Sequence, residues 1–132
     1  LDPNLPKIEV IPQDFGRVVL NLLTNAFYAV NEKKQSILNE KGKNDGYKPT
    51  VSITTKKEND AIIISIIDNG NGMPKEIIDK IFQPFFTTKP SGKGTGLGLS
   101  MSFDIITTGH NGELKVESTE NEGTKFKIIL PI

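Results

Sequence analysis

Residues 61 to 67 read Ala-Ile-Ile-Ile-Ser-Ile-Ile, nearly all apolar and closed by Asp68. A short apolar run of this kind predicts a central strand. Its surroundings say what it pairs with. Val51, Ile53 and Thr55 alternate with Ser52, Thr54 and Lys56, as on a half-buried strand, and Glu58-Asn59-Asp60 makes the turn between the two. Toward the other end Leu114 and Val116 alternate with Lys115 and Glu117, and Phe126, Ile128 and Leu130 alternate with Lys125 and Lys127, around a turn at Glu120 to Gly123. Two adjacent hairpin-like pairs favour a mainly antiparallel sheet. Lys7 to Ile11 also alternates and predicts a short first strand.

Helical spacing fills the gaps. From Phe15 the apolar positions Val18, Val19, Leu22, Leu23, Ala26 and Val30 recur at helical period, which predicts a long helix opening at Pro12-Gln13-Asp14 and running to about Glu40. A short helix is expected over Pro74 to Ile81, and another over Leu97 to Thr108, ending at Gly109. Helices on one face of a sheet make an α+β two-layer sandwich. The 132 residues suit one domain with a core of its own. There is no cysteine, so disulfides and thiolate metal sites are excluded. The 16 basic and 16 acidic residues balance, which argues against a broadly basic nucleic-acid surface. No apolar run approaches the length of a membrane span. The chain begins at Leu1, not Met, and is expected to be a piece of a longer protein.

Four segments carry groups suited to chemistry. Asn21 and Asn25 stand one turn apart on the long helix, at the edge of its apolar stripe. They read either as a polar border or as carbonyl oxygens aimed at a hard cation such as Mg²⁺. Asp68 ends the most apolar strand, ahead of Asn69-Gly70-Asn71-Gly72-Met73. It is either a turn aspartate or a buried acceptor, and the second glycine of the pair suggests a ligand close to the backbone. Phe82-Gln83-Pro84-Phe85-Phe86-Thr87-Thr88-Lys89 is either core packing or the anchor of a moving or docking segment. Last, Gly92-Lys93-Gly94-Thr95-Gly96-Leu97-Gly98-Leu99-Ser100 puts four glycines against a helix start. That is either a loose linker or a nest of amides for anions, with Lys89 and Lys93 close by.

Taken in order, these segments resemble the catalytic and ATP-binding domain of two-component sensor histidine kinases, within the superfamily of DNA gyrase B, the MutL proteins and the heat-shock chaperone ATPases. Asn21-Leu22-Leu23-Thr24-Asn25-Ala26 matches the N box, residues 68 to 73 the first glycine box, residues 82 to 89 the phenylalanine box and residues 94 to 99 the second glycine box, with Gly123-Thr124 opening the last strand. The resemblance implies a Bergerat-type sandwich: a mixed, mainly antiparallel sheet covered on one face by about three helices. It implies that ATP and Mg²⁺ are the cofactors. Asp68 would accept the adenine amino group, with Thr124 in support, and Gly70, Gly72 and Met73 would line the base. Asn25 would hold Mg²⁺ and Asn21 would lie beside the phosphates. Lys89, Lys93 and the amides of Gly94, Thr95, Gly96, Leu97, Gly98 and Leu99 would meet phosphate oxygens. Residues 87 to 96 would form a short lid, like that of the nitrogen-regulator subclass. Tyr28 departs from the pattern, since many members carry a basic residue there.

Position 21 bears on the reaction. ATPases and serine kinases of this superfamily carry a glutamate there as general base. Asparagine takes no proton, which favours transfer to a histidine, already nucleophilic. The alternatives are a self-sufficient ATPase or serine kinase, and a pseudokinase that binds nucleotide without transfer. The one histidine, His110, reads as a helix-end residue. The resemblance therefore implies an acceptor on an upstream dimerising helical domain, with residues 1 to 6 as the connection and 7 to 132 as the catalytic domain. It further implies a response-regulator receiver domain as partner, a homodimeric parent and a cytoplasmic location for this domain, without direct contact to nucleic acid or membrane.

Overall fold

The computed structural model describes residues 12–42, 46–83 and 98–131. The long helix α1 spans Pro12–Lys41. Val18, Leu22, Ala26 and Val30, four apart, are all nearly inaccessible and form its core stripe. The helix stops where Gly42 takes a left-handed φ of 72° and donates its N–H to the Leu38 carbonyl at 2.9 Å.

Strands β1 (Val51–Glu58), β2 (Ala61–Asp68), β3 (Glu113–Thr119) and β4 (Gly123–Pro131) form one sheet in the order β1-β2-β4-β3. All three pairings are antiparallel. The expected first strand over Lys7 to Ile11 lies outside the described residues. The apolar β2 is central, between β1 and β4. Leu114, Phe126, Ile128, Leu130 and Ile66 are buried on one face in a core shared with α1, and Ile62 is buried on that same face, while Lys56, Lys115, Lys125 and Lys127 alternate onto the other. One covered face is the layer arrangement of an α+β sandwich.

The remaining helices are shorter than their sequence spacing suggests. α2 is only Lys75–Ile78. After it the chain closes i→i+3 turns, with Lys80 N–H on Ile77 O at 2.9 Å and Gln83 N–H on Lys80 O at 3.0 Å. These turns still bury Ile81 in the core, so the apolar spacing is used without a continued helix. α3 runs over Gly98–Asp104 and widens into a π-helical turn at Ile105–Gly109. Ser102 and Ile106, four apart, are fully buried against α1 and the sheet.

Candidate functional site

The sheet register builds the first half of the site. Asp68 pairs with Thr124 across β2 and β4, and Thr124 pairs with Ser118 across β4 and β3. Strand alternation turns all three side chains to the helix-covered face, so they form a polar row at one end of the sheet. The neighbouring row, Ile66, Phe126 and Val116, is apolar. Asp68 and Thr124 are 6% and 7% exposed, which marks a carboxylate taken out of water. Burial pushes the Asp68 carboxyl above its ordinary range. Backbone N–H groups of Gly70 and Thr124 and the charge of Lys33 pull the other way. The Gly70 N–H donates to Asp68 Oδ1 at 2.8 Å.

The rest of the row is tied to the same loop. Ser118 Oγ accepts the Met73 N–H at 2.8 Å, donates to the Gly123 carbonyl at 3.0 Å and lies 2.8 Å from Thr124 Oγ1. A hydroxyl has one hydrogen. With that of Ser118 directed to Gly123, the Thr124 hydroxyl donates to Ser118 and keeps its lone pairs for an incoming donor. Met73 itself packs against the core.

The two glycines of this loop are each required by the packing of the protein's own chain. Gly72 has φ 67°, and a Cβ there would run into the Thr119 carbonyl of the β3–β4 hairpin. A Cβ on Gly70 would come within 2.7 Å of Ala29 Cβ on α1 and 2.9 Å of Asp68 Oδ1. Close approach by the protein's own chain therefore accounts for both, without a ligand.

Helix α1 supplies the second half. Asn21, Asn25, Ala29 and Lys33 follow one another at four-residue spacing, a single ridge of about 18 Å. At one end the Asn21 amide donates to the Gly98 carbonyl at 3.4 Å and to Ser102 Oγ at 3.3 Å, fixing it against the start of α3. Asn25 is half-buried one turn on. Ala29 meets Gly70, and Lys33 reaches the Gly70 carbonyl at 3.4 Å and the Asn121 carbonyl at 2.8 Å. Tyr28, beside this ridge, has its phenol pushed up by burial and then by Glu32.

The structure thus brings Asp68, Gly70, Gly72, Met73 and Thr124 together at the sheet end, and Asn21 together with Gly98 at the start of α3, where Leu99 packs on the core. Lys89, Lys93, Gly94, Thr95, Gly96 and Leu97 lie outside the described residues, as does most of the phenylalanine box. Sequence reasoning missed Ser118, Ala29 and Lys33. Ser118 was within reach of it, two positions beyond Val116 on the same strand face. Lys33 was signalled only by its place eight residues after Asn25. Among the described residues no three His, Cys, Asp or Glu side chains group to hold a metal. A Mg²⁺ here would therefore take an asparagine oxygen and phosphate oxygens, the donor set that ion accepts.

Known proteins match this arrangement. Residues 11–132 fit the model of the family described as histidine kinase-, DNA gyrase B- and HSP90-like ATPase. The sensor kinase CckA of Brucella abortus is 41% identical over 118 residues, covering 89% of this chain and 12% of that protein. The sensor histidine kinase ZraS of Escherichia coli K12 is 34% identical over 97% of this chain and 24% of its own length. Among solved structures, the nucleotide-free catalytic domain of the histidine kinase ThkA superposes with a TM-score of 0.72 at 32% identity, covering 94% of this chain and 70% of that one. A mycobacterial sensor histidine kinase, MprB, gives 0.66 at 27% identity, over 90% of this chain and 70% of that one. The chain spans between about an eighth and a quarter of the length of these two curated relatives. Its polar sheet end, its asparagine ridge and these matches place the chain in the histidine kinase-, DNA gyrase B- and HSP90-like ATPase family, among the catalytic domains of sensor kinases.

Proposed function

We propose that this chain is the ATP-binding catalytic domain of a sensor histidine kinase, which presents the γ-phosphoryl group of ATP to a histidine on a dimerising helical domain of the same protein, for relay to a response-regulator receiver domain. The observation that carries the nucleotide reading is the row Ser118, Thr124 and Asp68. A carboxylate with so little access to water needs donors. Gly70 provides one to Oδ1, and the adenine amino group would provide another. Thr124 lone pairs suit a bridging water beside the base.

On this reading Asn25 lends an oxygen to Mg²⁺, and Asn21 holds the start of α3, where amides meet phosphate. Mg²⁺ would neutralise phosphate charge during transfer. The chain's own residues then bind and orient ATP, and catalysis is by position. Position 21 supplies no general base, and its amide nitrogen is committed to α3, which supports transfer to histidine over hydrolysis. Residues 7 to 132 form the catalytic domain in this proposal and 1 to 6 the connection, Lys89, Lys93 and residues 94 to 97 complete the phosphate contacts, and the parent acts as a homodimer with this domain in the cytoplasm. No helix among the described residues is long and apolar enough to cross a membrane.

Calorimetric titration with a non-hydrolysable ATP analogue, with and without Mg²⁺, tests the reading on wild type and Asp68→Asn. The asparagine oxygen would be recruited by the Gly70 N–H, turning an NH₂ toward the adenine amine. The variant is expected to lose at least about tenfold in affinity, and equal affinity in both proteins would sink the adenine assignment.

A further inference from the structure

Two segments wall the sheet end beside Asp68. One is the loop Asn69 to Gly72; the other is the tip of the β3–β4 hairpin, Thr119 to Gly123. They touch directly, with the Asn121 N–H on the Asn71 carbonyl at 2.5 Å and Gly72 beneath Thr119. Lys33 of α1 is the side chain that bonds to both. Its ammonium donates to Gly70 O at 3.4 Å and to Asn121 O at 2.8 Å. It also stands 5.1 Å from the centre of the Tyr47 ring. Tyr47 Oη lies 3.0 Å from the Asn69 carbonyl and 3.1 Å from Asn69 Oδ1. The Asn69 side chain in turn accepts the Thr50 N–H and donates to the Lys48 carbonyl, each at 2.8 Å, pinning the entry to β1.

We propose that Lys33 is a positioning residue for adenine selection, clamping the glycine loop to the hairpin tip so that Asp68 keeps the orientation in which it accepts the 6-amino group. The proposal rests on the nucleotide reading above. Gly70 is held from both sides. Its N–H donates to Asp68 and its carbonyl accepts from Lys33. Without the ammonium, Gly70 keeps its packing on Ala29 and the hydrogen bond to the carboxylate it is meant to orient, and its carbonyl loses the Lys33 donor. A lysine suits the task, because its ammonium has hydrogens enough for both carbonyls at once. Its charge also favours the ionised Asp68 that an amine donor requires. Among the described residues Tyr47 also faces this carboxylate, its phenol pushed up by burial and then by the charge of Asp68.

The test compares wild type, Lys33→Met and Lys33→Arg by calorimetry with ADP and with inosine diphosphate, in which a carbonyl replaces the 6-amino group, both with Mg²⁺. Lys33→Met keeps a long apolar stem without the charge. It should weaken ADP binding by about fivefold and inosine diphosphate by under about twofold, and Lys33→Arg should recover most of the ADP affinity. A purely structural lysine would lower both affinities alike; that result, or unchanged ADP binding, overturns the proposal. If Lys33→Met does not fold, Lys33→Gln, which keeps a donor but no charge, is read by the same ratio. A wild type that binds neither nucleotide overturns the nucleotide reading itself, and one that binds both equally overturns adenine selection by Asp68.

Discussion

Asp68 is where fold and function pull apart. Burial raises its pKa by making the ionised carboxylate costlier than it is in water, while an amine donor favours that ionised form. A carboxyl with a raised native pKa contributes its stability below its ordinary value of 3.8 and loses it as pH rises through the native value. Asp68→Asn keeps an oxygen for the Gly70 N–H and has no charge to bury. Without nucleotide, the variant should melt a few degrees above wild type at pH 7, and the gap should close as pH falls toward 4. Thermal unfolding across that range checks it; an Asp68→Asn protein that melts lower at pH 7 would mean the ionised carboxylate is a net support of the fold. Asp68 stood out in the sequence because a charged residue ended an apolar strand. Its partner Thr124 entered by resemblance to a family and was then matched by register. Why Gly70 and Gly72 are glycines was not legible, because Ala29 and Thr119 come beside them only through tertiary packing.

The elements were legible where one period ran long enough. Helix α1 ends within a residue of its expected limit, since a stripe from Val18 to Val30 and Gly42 define it. Alternation located three of the described strands and the apolar run located β2, and the turns marked the β1–β2 and β3–β4 hairpins, whereas the β2–β4 pairing that joins them was not read. The short extent of α2 and the π-helical turn after α3 were not legible. A four-residue helix has no period to read, and turns with i→i+3 bonds bury Ile81 as well as a helix would. How the β3–β4 hairpin docks on the glycine loop also stays hidden in sequence, because it depends on the backbone of Gly72. Gly72→Ala would force a left-handed φ on a residue with a Cβ and push that Cβ into the Thr119 carbonyl, which is backbone and cannot swing away. We expect a loss of roughly 1–3 kcal/mol or more, read as a lower urea midpoint. An unchanged midpoint would show that the hairpin tip can lift off the loop at little cost.

On the scale of the whole molecule, the proposed transfer needs an acceptor histidine from outside this domain. The groups proposed to bind nucleotide converge on the sheet end and on one ridge of α1, while the proposed acceptor lies elsewhere. His110 sits past the π-helical turn, with Nδ1 3.0 Å from the Ile105 carbonyl and its ring 6.0 Å from that of Phe15. It is a helix-end residue, as its sequence context implied. The sheet end and ridge were legible as a set only because five motifs came in order; none of them decides the function alone. The most direct test mixes this chain with γ-labelled ATP·Mg²⁺ in the presence and absence of the histidine-bearing helical domain of its full-length protein. The account predicts acid-labile phosphate on that domain's histidine, none on His110, and no steady phosphate release by the chain alone. Steady release without the partner domain, or no histidine phosphate despite tight nucleotide binding, would contradict it.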